Sequence, residues 1–159
     1  MRTAVVEART FAAQSTVVRR TVLQPAQVHR WVSATLGELA ELLRRRRVVP
    51  SGFPFSRQYP MPSGQVIVEA GFPLAIPVMR NSTSQPSLLP AGPVAVTAYD
   101  GPYDEIGTAY DLVDDWLRRH DAKAAGAAWE VYHSPPLGSP DGWHPEIVQP
   151  YADACDSGA

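Results

Sequence analysis

The sequence predicts an α+β fold: duplicated β-α-β-β units forming an antiparallel sheet, with two helices on one face and a ligand cleft between the halves. Three observations predict it. Two segments carry apolar residues at helical spacing. Each is preceded by one strand-like segment and followed by two. A polar stretch, Arg80–Ser87, separates the two sets. Units of this kind bury their apolar faces by merging strands into one sheet and packing the helices against it.

The first strand is read over Ser15–Leu23. The first helix follows from Pro25 to about Arg46, with Val28, Val32, Leu36, Leu39 and Leu43 on one stripe. Pro25 suits a first helical turn, where a missing N–H costs nothing. Arg44, Arg45, Arg46 and Arg47 stand at the other end, where cations complement the helix dipole. They read as a solvated helix end rather than a nucleic-acid patch, since no second basic cluster accompanies them. Phe53–Tyr59 and Gln65–Gly71 then form a hairpin about the turn Pro62–Gly64. In the second unit, Val94–Tyr99 precedes a helix from about Pro102 to His120, whose inner stripe is Ile106, Tyr110, Val113 and Leu117, flanked by Leu112 and Trp116. Ala128–His133 and Glu146–Gln149 complete it, joined by the proline-rich loop Ser134–Pro145.

These elements make one domain over 1–159: repeat one about 15–79, a connector 80–87, repeat two about 88–150 and a polar tail 151–159. A length of 159 residues with 45% hydrophobic and 19% charged residues supports a core and excludes wholesale disorder. The net charge of −2 offers no basic excess to nucleic acid. No apolar run has the length of a membrane helix and no signal core opens the chain, so a cytoplasmic location is expected. Cys155, alone in the tail, can form neither an internal disulfide nor a zinc cluster. His29, His120, His133 and His144 show no metal-ligand spacing. No phosphate-binding glycine loop and no nucleophile elbow are present. No cofactor and no metal are expected.

The most informative segment is Trp129-Glu130-Val131-Tyr132. On a strand, Glu130 and Tyr132 share one face, and Trp129 and Val131 the other. A carboxylate amid aromatic residues is costly to bury unless it is paired or working. Spacing alone leaves both readings open and favours a structural glutamate. Glu69 is a second acidic candidate, read as the partner of Arg57 across the hairpin. Phe53, Phe55, Tyr59, Phe72, Tyr103 and Trp143 add aromatic surface near strand ends and loops. A pocket lined by such rings and closed by a carboxylate suits a flat, cationic ligand.

The segments Pro54-Phe55-Ser56-Arg57-Gln58-Tyr59, Val68-Glu69-Ala70-Gly71-Phe72-Pro73, Leu89-Pro90-Ala91-Gly92-Pro93-Val94-Ala95-Val96, Gly101-Pro102-Tyr103-Asp104-Glu105-Ile106-Gly107-Thr108-Ala109-Tyr110 and Trp129-Glu130-Val131-Tyr132 together resemble the GyrI-like small-molecule-binding domain, also called the AraC-type effector-binding domain. The ordered resemblance spans about 15–150. It implies the duplicated fold, a cleft between the halves, and a role for Glu130 against the positive charge of a hydrophobic drug. The ligand-binding residues it implies, with the aromatic supply, are Glu130, Phe55, Tyr59, Phe72, Tyr103, Tyr110, Trp129, Tyr132 and Trp143. Regulators of this family carry a DNA-binding segment; none is read here, so direct contact with nucleic acid is not expected.

Three functions follow from the resemblance. The first is a stand-alone sensor, sequestering or drug-resistance protein for small aromatic, often cationic, compounds. The second is a cofactor-independent hydrolase that opens the cyclopropane of DNA-alkylating natural products for self-protection. Glu130 would then be the catalytic base, with Tyr110 or Tyr132 orienting water or donating to the developing oxyanion. The third is a protein-interaction module resembling a gyrase inhibitor.

Overall fold

In the computed structural model, which describes residues 5–76, 83–133 and 143–154, eight strands form one sheet in the order β1-β6-β9-β8-β3-β4-β2-β5, and a ninth, β7, pairs with β9. The strands are β1 (Glu7–Phe11), β2 (Gln14–Leu23), β3 (Phe55–Pro60), β4 (Val66–Pro73), β5 (Gln85–Leu89), β6 (Gly92–Ala98), β7 (Ala122–Ala124), β8 (Trp129–Tyr132) and β9 (Pro145–Asp153). Helix α1 (Val28–Arg45) lies between β2 and β3, and α2 (Gly107–Arg119) between β6 and β7. All pairings are antiparallel.

The strand order is its own mirror: exchanging β1 with β5, β2 with β6, β3 with β8 and β4 with β9 reverses it. The α+β duplication expected from sequence is therefore present. The sequence reading did not anticipate how the halves are joined. Strand β1 precedes the first unit yet adds to β6 of the second, and β5 precedes the second yet adds to β2 of the first. Gln85–Leu89, its first three residues read as connector, is that second edge strand. The short β7 and the extension of β9 to Asp153 are further differences. Each helix also begins later than expected, because Pro25–Gln27 and Tyr103–Glu105 are single turns of 3₁₀ helix. Cys155, the start of the connector (80–82) and most of the loop from Ser134 lie outside the described residues.

Two-residue links force the sheet to curl. β1 and β2 are six strand spacings apart in the order, roughly 29 Å if the sheet were flat. The chain from Phe11 to Gln14 can span at most about 11 Å. The link from Leu89 to Gly92 imposes the same constraint. The inner face so created buries Val18, Phe55, Val94, Val96, Trp129 and Val148, drawn from both halves.

Both helices pack on the other face. The predicted stripe of α1 is buried throughout, against Val66, Val68, Ala70 and Phe72 of β4. Ala109, Val113 and Leu117 of α2 pack on Ala95 and Ile147. Each fully buried aliphatic side chain contributes about 1.5–3 kcal/mol. Arg44 and Arg45 at the end of α1 pair with exposed Glu41, as a solvated helix end requires. In β4, Gly71 is demanded by a close approach: a Cβ there would lie 1.9 Å from the carbonyl oxygen of Val17.

Candidate functional site

The two halves meet where β8 pairs with β3. Ser56 lies opposite Glu130, which on its other side faces Ile147 of β9. Strand alternation sends Ser56, Glu130 and Tyr132 to the helix-bearing face, and Trp129 and Val131 to the inner one. The helices cover their own halves and leave the seam open between them. A cleft of about 450 Å³ results, with its floor from Ser56, Gln58, Glu130 and Gln149 and its walls from His29 of α1 and Tyr110 of α2.

At its base Glu130 is only 3% exposed and its partners are phenols. The Tyr103 hydroxyl donates to Oε1 at 2.5 Å, and that of Tyr132 to the same oxygen at 3.2 Å. The Tyr110 hydroxyl donates to Oε2 at 2.6 Å. Ser56 Oγ lies 2.5 Å from the Tyr132 hydroxyl and extends the chain of bonds into the sheet. Two of the three phenols come from the α2 region: Tyr103 from the 3₁₀ turn at its start and Tyr110 from its first full turns. Tyr99, whose hydroxyl bonds the carbonyl of Pro102, steadies that turn.

Burial pushes the Glu130 carboxyl above the usual carboxylate range, and the hydrogen bonds from Tyr103, Tyr110 and Tyr132 pull the other way. Burial, together with the neighbouring carboxylate, pushes all three phenols up, which keeps them protonated as donors. His29 packs edge-on against Tyr103, with ring centroids 4.1 Å apart. Burial lowers its pKa below the ordinary 6.5, so it is neutral at neutral pH. The cleft thus holds a buried carboxylate that no described cation neutralises.

The structure brings together Glu130, Tyr103, Tyr110 and Tyr132 from the residues singled out in the sequence. Trp143, 1% exposed, backs them, with its ring centroid 5.2 Å from Tyr103 and 5.0 Å from Tyr132. The remaining four lie elsewhere. Phe72 is in the core beneath α1. Phe55 and Trp129 are on the inner face. Tyr59 lies beneath the guanidiniums of Arg20 and Arg57, at 5.7 and 5.4 Å. Glu69 meets Arg20 at 3.9 Å, while Arg57 instead donates to the carbonyl of Ala127. Sequence reasoning missed Ser56, Gln58, Gln149 and His29. Ser56 and Gln58 share a strand face, but only the pairing of β3 with β8 reveals which face it is.

Among the described residues no group of His, Cys, Asp and Glu could hold a metal ion, and no helix is long and apolar enough to cross a membrane. A family profile described as the GyrI-like small molecule binding domain matches residues 6–147. No curated protein matches the sequence. Among solved structures, the chain is similar to the C-terminal domain of EcmrR (TM-score 0.76, 12% identity, covering 94% of this chain and 98% of that one). It spans 58% of the EcmrR chain solved with DNA. It is also similar to a hydrolase from Listeria innocua (TM-score 0.63, 8% identity, 92% and 91% covered). A third is SAV2435 bound to tetraphenylphosphonium (TM-score 0.61, 10% identity, 97% and 98% covered). At these identities the likeness is one of fold.

Proposed function

The chain belongs to the GyrI-like family of small-molecule-binding domains, and from that premise we propose that its cleft binds hydrophobic aromatic cations, with Glu130 as their counter-ion. One observation carries the reading. Glu130 is buried at the base of a 450 Å³ cleft, and its bonded partners are the neutral phenols of Tyr103, Tyr110 and Tyr132. A buried charge without an opposite charge is expensive, and a cationic ligand supplies what is missing. The neutral His29 leaves no competing positive charge on the wall. The volume falls within the range of ligand pockets. SAV2435, which shares the fold, was solved with such a cation.

Calorimetric titration with tetraphenylphosphonium tests this. Saturable binding is expected, weakened at least about tenfold in Glu130→Gln, since removing one member of a buried charge pair is costly. Equal affinity in the two proteins would refute the assignment of Glu130.

A second reading is favoured by the bond between Tyr110 and Glu130 at the cleft surface. A carboxylate with a raised pKa beside a phenol can serve a hydrolase that opens a cyclopropane conjugated to a carbonyl. Glu130 would take a proton from water as its oxygen attacks a ring carbon. The carbon–carbon bond breaks, its electron pair moves to the carbonyl oxygen, and Tyr110 returns a proton there. The product is the substrate plus one water, so mass spectrometry of the incubated compound distinguishes turnover from binding. An unchanged ligand that still quenches tryptophan fluorescence leaves binding as the function.

A further inference from the structure

A second cavity, of about 370 Å³, opens on the inner face of the curled sheet, on the opposite side of β8 from the cleft. Its apolar lining includes Phe11, Phe53, Phe55, Leu89, Trp129 and Val131. It sits beside the two short links, which run antiparallel between the pairs Phe11–Gly92 and Gln14–Leu89: Ala12, Ala13 and Pro90 form part of its wall. Its shape is therefore set by the same constraint that curls the sheet.

Three features define what would fit. None of the side chains lining it is ionisable, so it offers a charged ligand no partner to offset lost hydration. Trp129 and Phe55 are buried in it, at 3% exposure each, whereas Phe53 is 53% exposed and packs at 4.7 Å against the ring of His133. A buried aromatic floor with an exposed aromatic rim suits a flat ring system that stacks and meets edges. The Arg57 guanidinium lies 5.3 Å from the centroid of the Trp129 ring and is tied to the carbonyl of Ala127 at 3.2 and 3.0 Å. It holds the ring in place and sets a positive charge beside the cavity, which opposes a cation. The charge preference is the reverse of that in the cleft.

We propose that this inner cavity is a second ligand site, for neutral planar aromatic compounds, separate from the Glu130 cleft. The probe is N-phenyl-1-naphthylamine, uncharged at neutral pH and fluorescent in apolar surroundings. A saturable fluorescence rise is expected, not displaced by tetraphenylphosphonium and unchanged in the cleft variant Tyr110→Ala. Phe53→Asp, at an exposed rim position, should weaken the probe at least about tenfold by placing a carboxylate at the mouth. Phe53→Leu should retain most of the affinity, and circular dichroism should show both variants folded. The absence of a saturable rise overturns the proposal. So does a rise that Phe53→Asp leaves unaltered, or one that Tyr110→Ala or the cation abolishes. The Phe53 comparison reads the inner cavity alone, so it stands whether or not a cation binds in the cleft.

Discussion

The hydroxyls of Tyr103 and Tyr110 reach the two different oxygens of the Glu130 carboxylate, at 2.5 and 2.6 Å. Two positions at the start of α2 thus grip both oxygens of a residue on β8, and orient the carboxylate where the halves join. Hydrogen bonds to a charged group of this kind contribute about 1.5–3 kcal/mol each. They also decide how easily the carboxylate takes up a proton.

Tyr110→Phe removes the donor to Oε2 and lets burial act with less opposition. Glu130 should then be protonated at higher pH than in the parent protein. The affinity for tetraphenylphosphonium, measured across pH, should fall on acidification in both proteins, with the midpoint shifted upward in Tyr110→Phe. Coincident profiles would show that the Tyr110 bond does not tune the carboxylate.

Glu130→Gln should raise the thermal midpoint at neutral pH. The folded-state pKa of Glu130 is raised above its ordinary 4.5, so the folded chain holds this proton more tightly than the unfolded one. That contribution is full below 4.5 and is lost as pH rises through the folded value. The advantage of the glutamine variant should accordingly shrink as pH is lowered into the ordinary carboxylate range. Melting curves at a series of pH values check both sign and window, and a constant difference would contradict them.

Gly71→Ala should fail to give the native fold or lose at least about 3 kcal/mol in chemical denaturation, as severe overpacking does. The added Cβ would stand 1.9 Å from the Val17 carbonyl oxygen, which belongs to backbone and cannot rotate away. A fully stable variant would mean that β2 and β4 can separate without cost.

Leu39→Ala, at a wholly buried position of α1, should cost about 2–5 kcal/mol, the transfer and cavity terms together. Since Leu39 does not line the cleft, ligand affinity measured well below the melting range should stay within about threefold of the parent, consistent with the independence of distant sites.

How much of this was readable in the sequence depended on the range of the interaction. The α1 stripe was legible from Val28 to Leu43 because helical spacing is local. The alternation that separates Glu130 and Tyr132 from Trp129 and Val131 was legible for the same reason. The same alternation already set Trp129 apart from Glu130, yet composition grouped every nearby aromatic residue into one pocket. Phe55 and Trp129 belong to the inner face, and only the register of β3 against β8 shows that they meet there. Ser56 went unnoticed because its partner Tyr132 is 76 residues away. His29 adjoins Val28 of the stripe and carries no spacing signal of its own. The edge strands were harder still: the residues of β1 are mostly exposed and their pattern does not alternate, so nothing local marks them as a strand.

The reciprocal placement of β1 and β5 also bears on how the chain comes apart. Each half supplies the outermost strand of the other, so severing the chain between them would leave two fragments, each lacking one edge and carrying a strand that belongs to its counterpart. Neither is a self-sufficient module despite the internal duplication. Melting should therefore register as a single transition, and fragments expressed separately should recover the fold only by finding each other.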